Sequence, residues 1–371
     1  MNKNYDNYIA NIKKTGFPLE YSISKDLQSR SWNVISNRYY IDDTTNNMRE
    51  IDILAYKVSL VNEIRFYTTL LISSKKSEER DWAFLTKKLN QNDPNSDYFP
   101  TSNWTNDERL THMLDDSTWR KRLIDEVSKD EKLAAIYSIN EDLFAFQEMN
   151  KSNGRIQNDK AIYSSVSTLV KSLSYEVLNL DRRIEHKSFY SFYLISVVES
   201  GFVKLHFEES NIECSDIDEI NYLNRFIVNG KDDFYKIHFI KNNCFADSLV
   251  NYDYLHKWNV NFFSKLRTEY EKDLVKDWKK LGIQLNKHKV KMQHRLYHLV
   301  QSRYFDSYQI DYLIMVYESD NRSLRICVSE DQKFVDFLTD SKEVNELTQN
   351  MLQEFFFYTG KFYYSTDSLP F

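Results

Sequence analysis

The chain has 371 residues, of which 42% are hydrophobic and 15% aromatic, so it is long enough to bury a large core and to form two domains. Its formal net charge of -6 argues against indiscriminate binding of polyanions, which needs concentrated Lys and Arg. With only 6 Gly and 4 Pro, the chain has no glycine-rich phosphate loop, which excludes P-loop and Rossmann proteins.

The cysteines and the apolar segments predict the compartment. Cys214, Cys244 and Cys327 are odd in number, far apart and outside any metal-ligand spacing. This usage is typical of buried thiols in a reducing compartment. The N-terminus is polar, and no run of about 18 apolar residues occurs. We therefore expect a cytoplasmic protein without a membrane partner.

The first 76 residues predict one helix and three strands. Residues 19–32 have apolar residues at helical spacing, with Glu20 in the first turn. Residues 34–41, 48–57 and 64–75 are predicted strands. In the second strand, alternation places Ile51, Ile53 and Ala55 on one face and Glu50, Asp52 and Leu54 on the other. The third strand is continuously apolar, which is typical of a central strand covered on both sides.

The middle of the chain predicts a helical layer followed by more sheet. Residues 80–118 are polar and irregular, and they open an excursion that extends to about residue 155. Trp82 and Phe84 follow the third strand, and we expect both to pack in the core. Helices are predicted at residues 119–127 and 159–180, and strands at 189–199, 202–207 and 234–240. The alternation of helices and strands predicts an α/β (α+β) core.

The C-terminal third predicts a second α+β region. Residues 248–278 are helical, the pattern continues with basic residues to Arg303, strands are predicted at 312–317 and 324–328, and a final helix at 342–357. A loose boundary near residue 245 separates domains 1–245 and 246–371. The run Phe355–Tyr358 is either core or an interface with a partner protein or a second copy.

Three short motifs carry the functional signal. They are Gly16-Phe17-Pro18-Leu19-Glu20 at the start of a helix, Arg49-Glu50-Ile51-Asp52 in one strand, and Ser73-Ser74-Lys75 at the end of the next strand. An acid inside one strand beside a lysine that closes its neighbour is how a nuclease places a metal carboxylate next to an ammonium group. Glu20 has a simpler alternative role, since a carboxylate near a helix N-terminus is worth about 0.3–1 kcal/mol through the macrodipole.

The order of these motifs resembles the PD-(D/E)xK, restriction-endonuclease-like nuclease superfamily. The resemblance covers roughly residues 15 to 90, with weaker support to about residue 240. It implies an αβββαβ core with a mixed central sheet and Mg²⁺- or Mn²⁺-dependent hydrolysis of DNA phosphodiester bonds. It further implies that Asp52, Glu20 and the Ser74 backbone carbonyl hold the metal, while Lys75 assists the attacking water. Ser73 departs from the family pattern, because it stands where the tripeptide has its acidic residue.

A basic stretch in the C-terminal third is a candidate DNA-binding surface. Its residues are Lys279, Lys280, Lys287, Lys289, Lys291 and Arg295. The alternatives are a solvated helix face and a docking surface for an acidic partner. His294 and His298, four residues apart, could share a metal, but the motif has no third ligand.

The sequence therefore predicts a Mg²⁺-dependent DNA endonuclease with Asp52, Lys75 and Glu20 as catalytic residues. By analogy, a role in bacterial defence against phage or foreign DNA is expected. The alternative is a catalytically degenerate nuclease-like protein that binds DNA or protein as a subunit of a multi-component defence complex. The missing acid at Ser73 keeps this alternative open.

Overall fold

The computed structural model describes residues 5–209, 211–301, 310 and 312–366, with the side chain of Asp273 excepted. The chain divides into two compact units, Met1–Ser264 and Lys265–Phe371. The division falls inside the long helix Asn242–Asp273. The sequence had placed a loose boundary near residue 245, at the start of this helix. Phe245 and Leu249 of the helix are fully buried, which ties its first turns to the first unit.

The first unit contains most of the secondary structure. Its helices include α1 (Tyr5–Ile12), α2 (Phe17–Ser29), α3 (Glu108–Asp115), α4 (Thr118–Val127), α5 (Glu131–Tyr137), α6 (Lys160–Arg183) and the start of α7 (Asn242–Asp273). Its strands include β1 (Asn33–Ile41), β2 (Met48–Val61), β3 (Ile64–Lys76), β4 (Arg80–Lys88), β5 (Ser102–Thr105), β6 (Glu141–Asn150), β7 (Ser188–Glu199), β8 (Phe202–Glu208), β9 (Asn211–Asp216), β10 (Glu219–Val228) and β11 (Lys231–Lys241). The predicted mixed α/β architecture is confirmed at this level.

The main sheet is mixed and has the strand order β1-β2-β3-β7-β11-β10, with β5 also paired to β7. Strands β1, β2 and β3 form an antiparallel meander, whereas β7 runs parallel to β3 and to β11. Nearly every residue of β7 is buried, as expected for a parallel strand covered on both faces. The centre of the sheet is therefore rigidly held, and it carries the end of β3.

Helices α2 and α6 attach to the sheet through apolar residues at helical spacing. In α2, Pro18 lies in the first turn, and Leu19, Ile23 and Leu27 are buried. In α6, Ile162, Val166, Leu169, Val170 and Leu173 enter a hydrophobic cluster with residues of the sheet. Packing of these apolar stripes fixes the position of each helix along the sheet.

A second sheet, with the order β6-β4-β8-β9, was not predicted. The prediction of irregular structure over residues 80–118 is wrong for β4, β5 and α3, which all lie within that segment. In β4, Trp82, Ala83 and Phe84 are buried in succession. Because these residues do not alternate with exposed ones, the strand lacks a period-two signal. The core roles predicted for Trp82 and Phe84 are confirmed, since both rings contact Phe202 and Phe239.

The second unit is a smaller α+β body. Its elements are α8 (Trp278–Gln301), β12 (Ile314–Glu318), β13 (Ser323–Cys327), α9 (Gln332–Asp340), α10 (Lys342–Phe356) and β14 (Lys361–Tyr364). The three strands form one sheet in the order β12-β13-β14. Phe355 and Phe356 are buried in the core of this unit, which favours core over interface for that part of the aromatic run. Arg303, the predicted end of the basic segment, lies outside the described residues.

Two further expectations concerned cysteines and membrane-spanning helices. Cys327 is buried and Cys244 partly so, but Cys214 is exposed on β9, so the prediction of a buried thiol is wrong there. Strand β9 is exposed along its length, and this leaves Cys214 uncovered. Across the described parts of the chain, each helix is too short or too polar to traverse a lipid bilayer.

The aromatic cluster between the two sheets yields a stability prediction. Phe84→Ala should lower the free energy of unfolding by about 3–5 kcal/mol, because it leaves a cavity beside Trp82, Phe202 and Phe239. Phe144→Ala is the matched control, since this ring on β6 is 48% exposed and should lose no more than about 1.5 kcal/mol. Urea denaturation of both variants checks the prediction, and equal losses would contradict it.

Candidate active site

The junction of β2 and β3 holds the carboxylate of Asp52. The antiparallel register pairs Ile53 with Ile72, so Asp52 lies beside Ser73 at the end of the paired segment. Asp52 Oδ2 accepts a hydrogen bond from the Ser74 backbone amide at 2.6 Å and one from Ser73 Oγ at 3.3 Å. A backbone donor of this kind fixes the carboxylate more firmly than a flexible side chain would.

The strand is irregular at Asp52, and one part of the sequence prediction fails there. Asn37 on β1 has φ of 55°, and the register skips the Asn37–Asp52 pair. Ile51 and Leu54 both enter the hydrophobic cluster that contains α6 residues. Strict alternation, which placed Ile51 with Ile53 and opposite Leu54, is therefore wrong. Local irregularities of this kind re-aim side chains beside functional sites.

Lys75 extends from the end of β3 towards Asp52. Its Nζ lies 3.7 Å from Asp52 Oδ2, and the two side chains keep 26% and 21% of their surface exposed. The next residue, Lys76, is engaged elsewhere: its Nζ lies 2.9 Å from Glu199 and donates to the Lys13 carbonyl at 3.0 Å. Lys75 thus presents an ammonium group beside Asp52 that a solvent-borne substrate could reach.

Glu20 reaches the same place from the first turn of α2. Ser74 Oγ donates to Glu20 Oε1 at 3.4 Å, while the amide of the same serine binds Asp52. Burial, followed by the nearby Asp52 carboxylate and then Glu50, raises the pKa of Glu20, against the opposing effects of Ser74 and Lys75. Glu20 and Asp52 therefore experience each other's charge. Glu50 itself accepts a hydrogen bond from the Asn37 side-chain amide.

The structure thus brings Glu20, Asp52, Ser74 and Lys75 together from one helix and two strands. The predicted metal ligand of Ser74 was its carbonyl, whereas the contacts observed run through its amide and hydroxyl, so the carbonyl role stays a prediction. Ser73 is fully buried and donates to Asp52. It adds no negative charge.

The donor set can be compared with the needs of a divalent metal. Among the described residues, no group of three or more His, Cys, Asp or Glu side chains is arranged to hold a metal ion. Mg²⁺ usually takes only one or two carboxylates and completes its octahedron with water and substrate phosphate. Glu20 and Asp52 fit that requirement, and they do not fit a closed zinc site.

The predicted DNA-binding residues lie on α8 in the second unit. Lys291 and Arg295 pair with Glu354 at 3.5 and 2.5 Å, and both lie over the Phe355 ring. Lys280 lies 3.8 Å from Asp277. The carboxylates therefore offset part of the predicted basic surface. Of the remaining predicted residues, Lys279 and Lys287 are exposed and Lys289 is partly buried.

His294 and His298 on α8 approach each other as their spacing indicates. Their Nε2 atoms are 3.0 Å apart, and the two rings meet edge to face. Each imidazole is therefore the hydrogen-bond partner of the other. No third ligand joins the pair in the described part of the chain, so these residues form no metal site there.

Sequence analysis missed a buried carboxylate and a partly buried lysine of the first unit. Glu176 on α6 forms ion pairs with Arg38 at 2.9 Å and with Arg183 at 2.7 Å. Lys236 on β11 lies over the Tyr137 ring at 5.1 Å, and burial lowers its pKa to about 7. Arg38 and Glu176 are 138 residues apart. No local pattern links them, and only the i, i+7 spacing of Glu176 and Arg183 on one helix face could have been noticed.

The raised pKa of Glu20 makes a prediction that separates a site residue from a helix-stabilising one. The folded state disfavours ionised Glu20. The stability that protonated Glu20 contributes is therefore fully present below the ordinary pKa of 4.5 and is lost as the pH rises through the raised pKa of the folded state. Glu20→Gln should therefore raise the melting temperature near pH 7.5 in EDTA, by less than about 3 °C because solvent screens the charges. The gain should vanish near pH 4.

Glu131→Gln provides the matched control, since Glu131 occupies the first turn of α5. A carboxylate that only favours the helix macrodipole is stabilising when ionised, so this control should lose stability or stay unchanged at pH 7.5. Thermal melts of both variants across the pH range give the comparison. A drop for Glu20→Gln like that of the control would assign Glu20 to the helix end alone.

Comparison with known proteins assigns no function to this chain. The chain matches no protein-family model, no curated protein and no solved structure at a significant level. Any functional conclusion therefore depends on Glu20, Asp52, Ser74 and Lys75 and on the chemistry that they allow.

Proposed function

We propose that this protein is a Mg²⁺-dependent DNA endonuclease of the PD-(D/E)xK type. The observation that carries the proposal is the convergence of Glu20, Asp52 and Lys75, which come from α2, β2 and β3. Two carboxylates beside one ammonium group, all close to solvent, suit phosphodiester hydrolysis better than a purely structural ion pair. A role in bacterial defence against foreign DNA is proposed by analogy.

The order of the elements supports the same assignment. Six elements, β4, β5, α3, α4, α5 and β6, lie between β3 and α6. If they are set aside as an excursion, the remaining order α2–β1–β2–β3–α6–β7, an antiparallel meander followed by a parallel strand, supports an αβββαβ core. The positions of Asp52 within β2 and of Lys75 near the end of β3 support the proposal. Fold order alone would be weak support, because one fold hosts many functions.

Each side chain has a separate task in the proposed reaction. Asp52 and Glu20 would hold Mg²⁺, which, when bound, supplies Lewis-acid stabilisation of charge on the scissile phosphate. Lys75 would donate hydrogen bonds that orient the attacking water and would offset the negative charge of the phosphate. The Ser74 amide keeps Asp52 in place, and its hydroxyl does the same for Glu20.

A second candidate function is favoured by Ser73. This residue cannot supply the acidic ligand of the tripeptide, and the described residues contain no three-ligand metal group. A nuclease-like protein that binds DNA or a partner without cutting would have the same fold. In either case, Lys279, Lys287 and their basic neighbours on α8 are proposed to contact the DNA backbone or an acidic partner.

Neighbouring lysines on β3 provide a sharp test of catalysis. Lys75→Ala should reduce Mg²⁺-dependent cleavage of plasmid and linear DNA by at least about 100-fold, because it removes positive charge beside the scissile phosphate. Lys76→Ala should keep most of the activity, since Lys76 binds Glu199 and Lys13. Agarose-gel assays of both variants, each with its melting temperature, give the measurement. Equal activity of wild type and Lys75→Ala would refute the catalytic assignment.

Metal binding can be tested without substrate. Mg²⁺ at ten times its dissociation constant should stabilise the folded chain by about 1.4 kcal/mol through mass action. Asp52→Asn should abolish the resulting rise in melting temperature, whereas Glu50→Gln should retain it, because Glu50 is tied to Asn37. Calorimetry or thermal melts in Mg²⁺ and in EDTA provide the comparison. A wild type that is indifferent to millimolar Mg²⁺ and Mn²⁺ would favour the non-cutting alternative.

A further inference from the structure

Asp253 on α7 binds three side chains that come from two other regions of the first unit. Its carboxylate accepts hydrogen bonds from Arg30 Nη1 at 3.1 Å and from Trp32 Nε1 at 2.9 Å, both at the end of α2. It also accepts from Nζ of Lys57, on β2, at 2.6 Å. One carboxylate therefore joins the end of α2 to β2 and to α7.

The end of α2 is fixed by its own backbone. Ser31 adopts φ of 62° and donates its amide to the Gln28 carbonyl at 3.0 Å. The Trp32 amide donates to the Leu27 carbonyl at 3.1 Å, and both of these side chains are buried. These are the two hydrogen bonds of a Schellman motif, which ends a helix at a defined residue. Because Trp32 belongs to this motif, its contact with Asp253 holds a well-defined helix end.

The carboxylate of Asp253 also balances two cations. Arg30 and Lys57 both pair with it, and Lys57 Nζ lies 5.2 Å from the centre of the Trp32 ring. The side chains of Lys57 and Asp253 keep only 19% and 23% of their surface exposed. Without the negative charge, the two cations would repel each other across the boundary between α2 and β2. Loss of this charge should therefore separate the helix end from the strand.

The candidate active site lies at the opposite end of the same helix and strand. From Glu20 to Arg30 the helix rises by about 15 Å. From Asp52 to Lys57 the strand rises by about 17 Å. Ser74 binds both site carboxylates at one end of this pair, and the α7 carboxylate binds both cations at the other. The two ends together determine how α2 lies along β2.

Glu20 depends on the far end of α2 because its local contacts are weak. The hydrogen bond from Ser74 Oγ to Glu20 Oε1 measures 3.4 Å, which is long for a hydroxyl donor. Gly16, at the start of the helix, provides no side-chain cap. Asp52, in contrast, accepts from the Ser74 amide at 2.6 Å. The position of Glu20 is therefore set by the docking of the whole helix.

We propose that Asp253 is a positioning residue of the candidate active site. By holding the end of α2 against β2, it keeps Glu20 close enough to Asp52 for both carboxylates to bind one Mg²⁺ ion. Asp253 itself contacts neither the metal nor the DNA. The role in metal binding rests on the proposed nuclease function, whereas the positioning of Glu20 beside Asp52 does not.

The repulsion between Glu20 and Asp52 provides a test that needs no metal. In EDTA at pH 7.5, Glu20→Gln should raise the melting temperature less than half as much in an Asp253→Asn background as in the wild type. The reason is that a carboxylate which has moved away from Asp52 gains less when it is neutralised. Thermal melts of the wild type, both single variants and the double variant measure this coupling. Equal gains in the two backgrounds would overturn the proposal.

Tyr254→Phe is the matched control. Tyr254 is the next residue of α7, and its hydroxyl donates to Asp130, the N-cap residue of α5, at 2.5 Å. The control thus removes a charged hydrogen bond of the same helix without affecting a contact to α2, and it should keep the full gain from Glu20→Gln. If it lost the gain as completely as Asp253→Asn, the role of Asp253 would be general stability and the proposal would fall.

Arg30→Met breaks the same contact from the side of α2. It keeps an unbranched side chain at the helix end but removes the guanidinium group that Asp253 binds. It should reproduce the reduced gain from Glu20→Gln, so it gives the same test if Asp253→Asn does not fold. A full gain in this background would contradict the proposal.

Mg²⁺ binding separates a positioning role from a catalytic one. Calorimetry should show that Asp253→Asn raises the dissociation constant for Mg²⁺ by about 10-fold, the lower end of the range for residues that orient metal ligands. The Mg²⁺ concentration that half-saturates cleavage should rise equally, while the rate at saturating Mg²⁺ stays within about 2-fold, because only ground-state binding is lost. Tyr254→Phe should change neither quantity.

The two measurements have separable outcomes. If the wild type binds Mg²⁺ and Asp253→Asn binds it equally well, Asp253 does not position the site. If the wild type binds no Mg²⁺ and cuts no DNA, but the coupling between Glu20→Gln and Asp253→Asn is present in EDTA, the positioning role stands and the nuclease assignment falls.

Discussion

The hydrogen bond from the Ser74 amide to the Asp52 carboxylate is the contact on which the site depends. It exists because β2 and β3 pair in one register, with Ile53 opposite Ile72. A slip of one residue would turn every side chain of β3 to the other face and remove Ser73 and Lys75 from Asp52. The burial of β3 between β2 and β7 prevents such a slip, since apolar residues would then meet solvent. Packing of the hydrophobic core of the first unit therefore fixes the orientation of the polar residues at the candidate site.

The charge balance distinguishes this site from other ion pairs of the same unit. Lys76 pairs with Glu199, and Lys171 lies within 3.2 Å of both Asp42 and Asp43. At the candidate site, Lys75 lies beside Asp52, and burial followed by the neighbouring Asp52 carboxylate raises the pKa of Glu20 although Lys75 opposes the shift. Two carboxylates held near one ammonium group repel each other, and a bound divalent cation would reduce that repulsion. Such like-charge placement lowers stability in the absence of a ligand, which is common where a protein binds a charged partner.

Local pattern was sufficient for the core and for most of the site. Helices α2 and α6 have apolar residues at helical spacing, and β3 and β7 are nearly continuous apolar runs typical of covered central strands, so the sequence predicts these elements within a few residues. The second sheet could not be predicted, because β4 pairs with β6 and β8 and buries consecutive residues. The break in alternation at Asp52 depends on the positive φ of Asn37, a residue of another strand. The Arg38–Glu176 pair joins residues that are 138 positions apart, and no short window of the chain contains both.

Ser73 shows how the second carboxylate can reach the site from a different element. Its side chain is fully buried, its Oγ binds Asp52, and Ser196 lies opposite it on β7. An acid at this position would place a second negative charge beside Asp52 in a buried setting, which is unfavourable without a bound cation. Glu20 extends from α2 and accepts a hydrogen bond from Ser74 Oγ. In this position more of its carboxylate can be hydrated. The position of Glu20 depends on the packing of Leu19, Ile23 and Leu27 against the sheet, because these residues fix α2 in place. In the proposed enzyme, metal affinity is therefore coupled to helix docking: whatever loosens α2 also withdraws the second ligand.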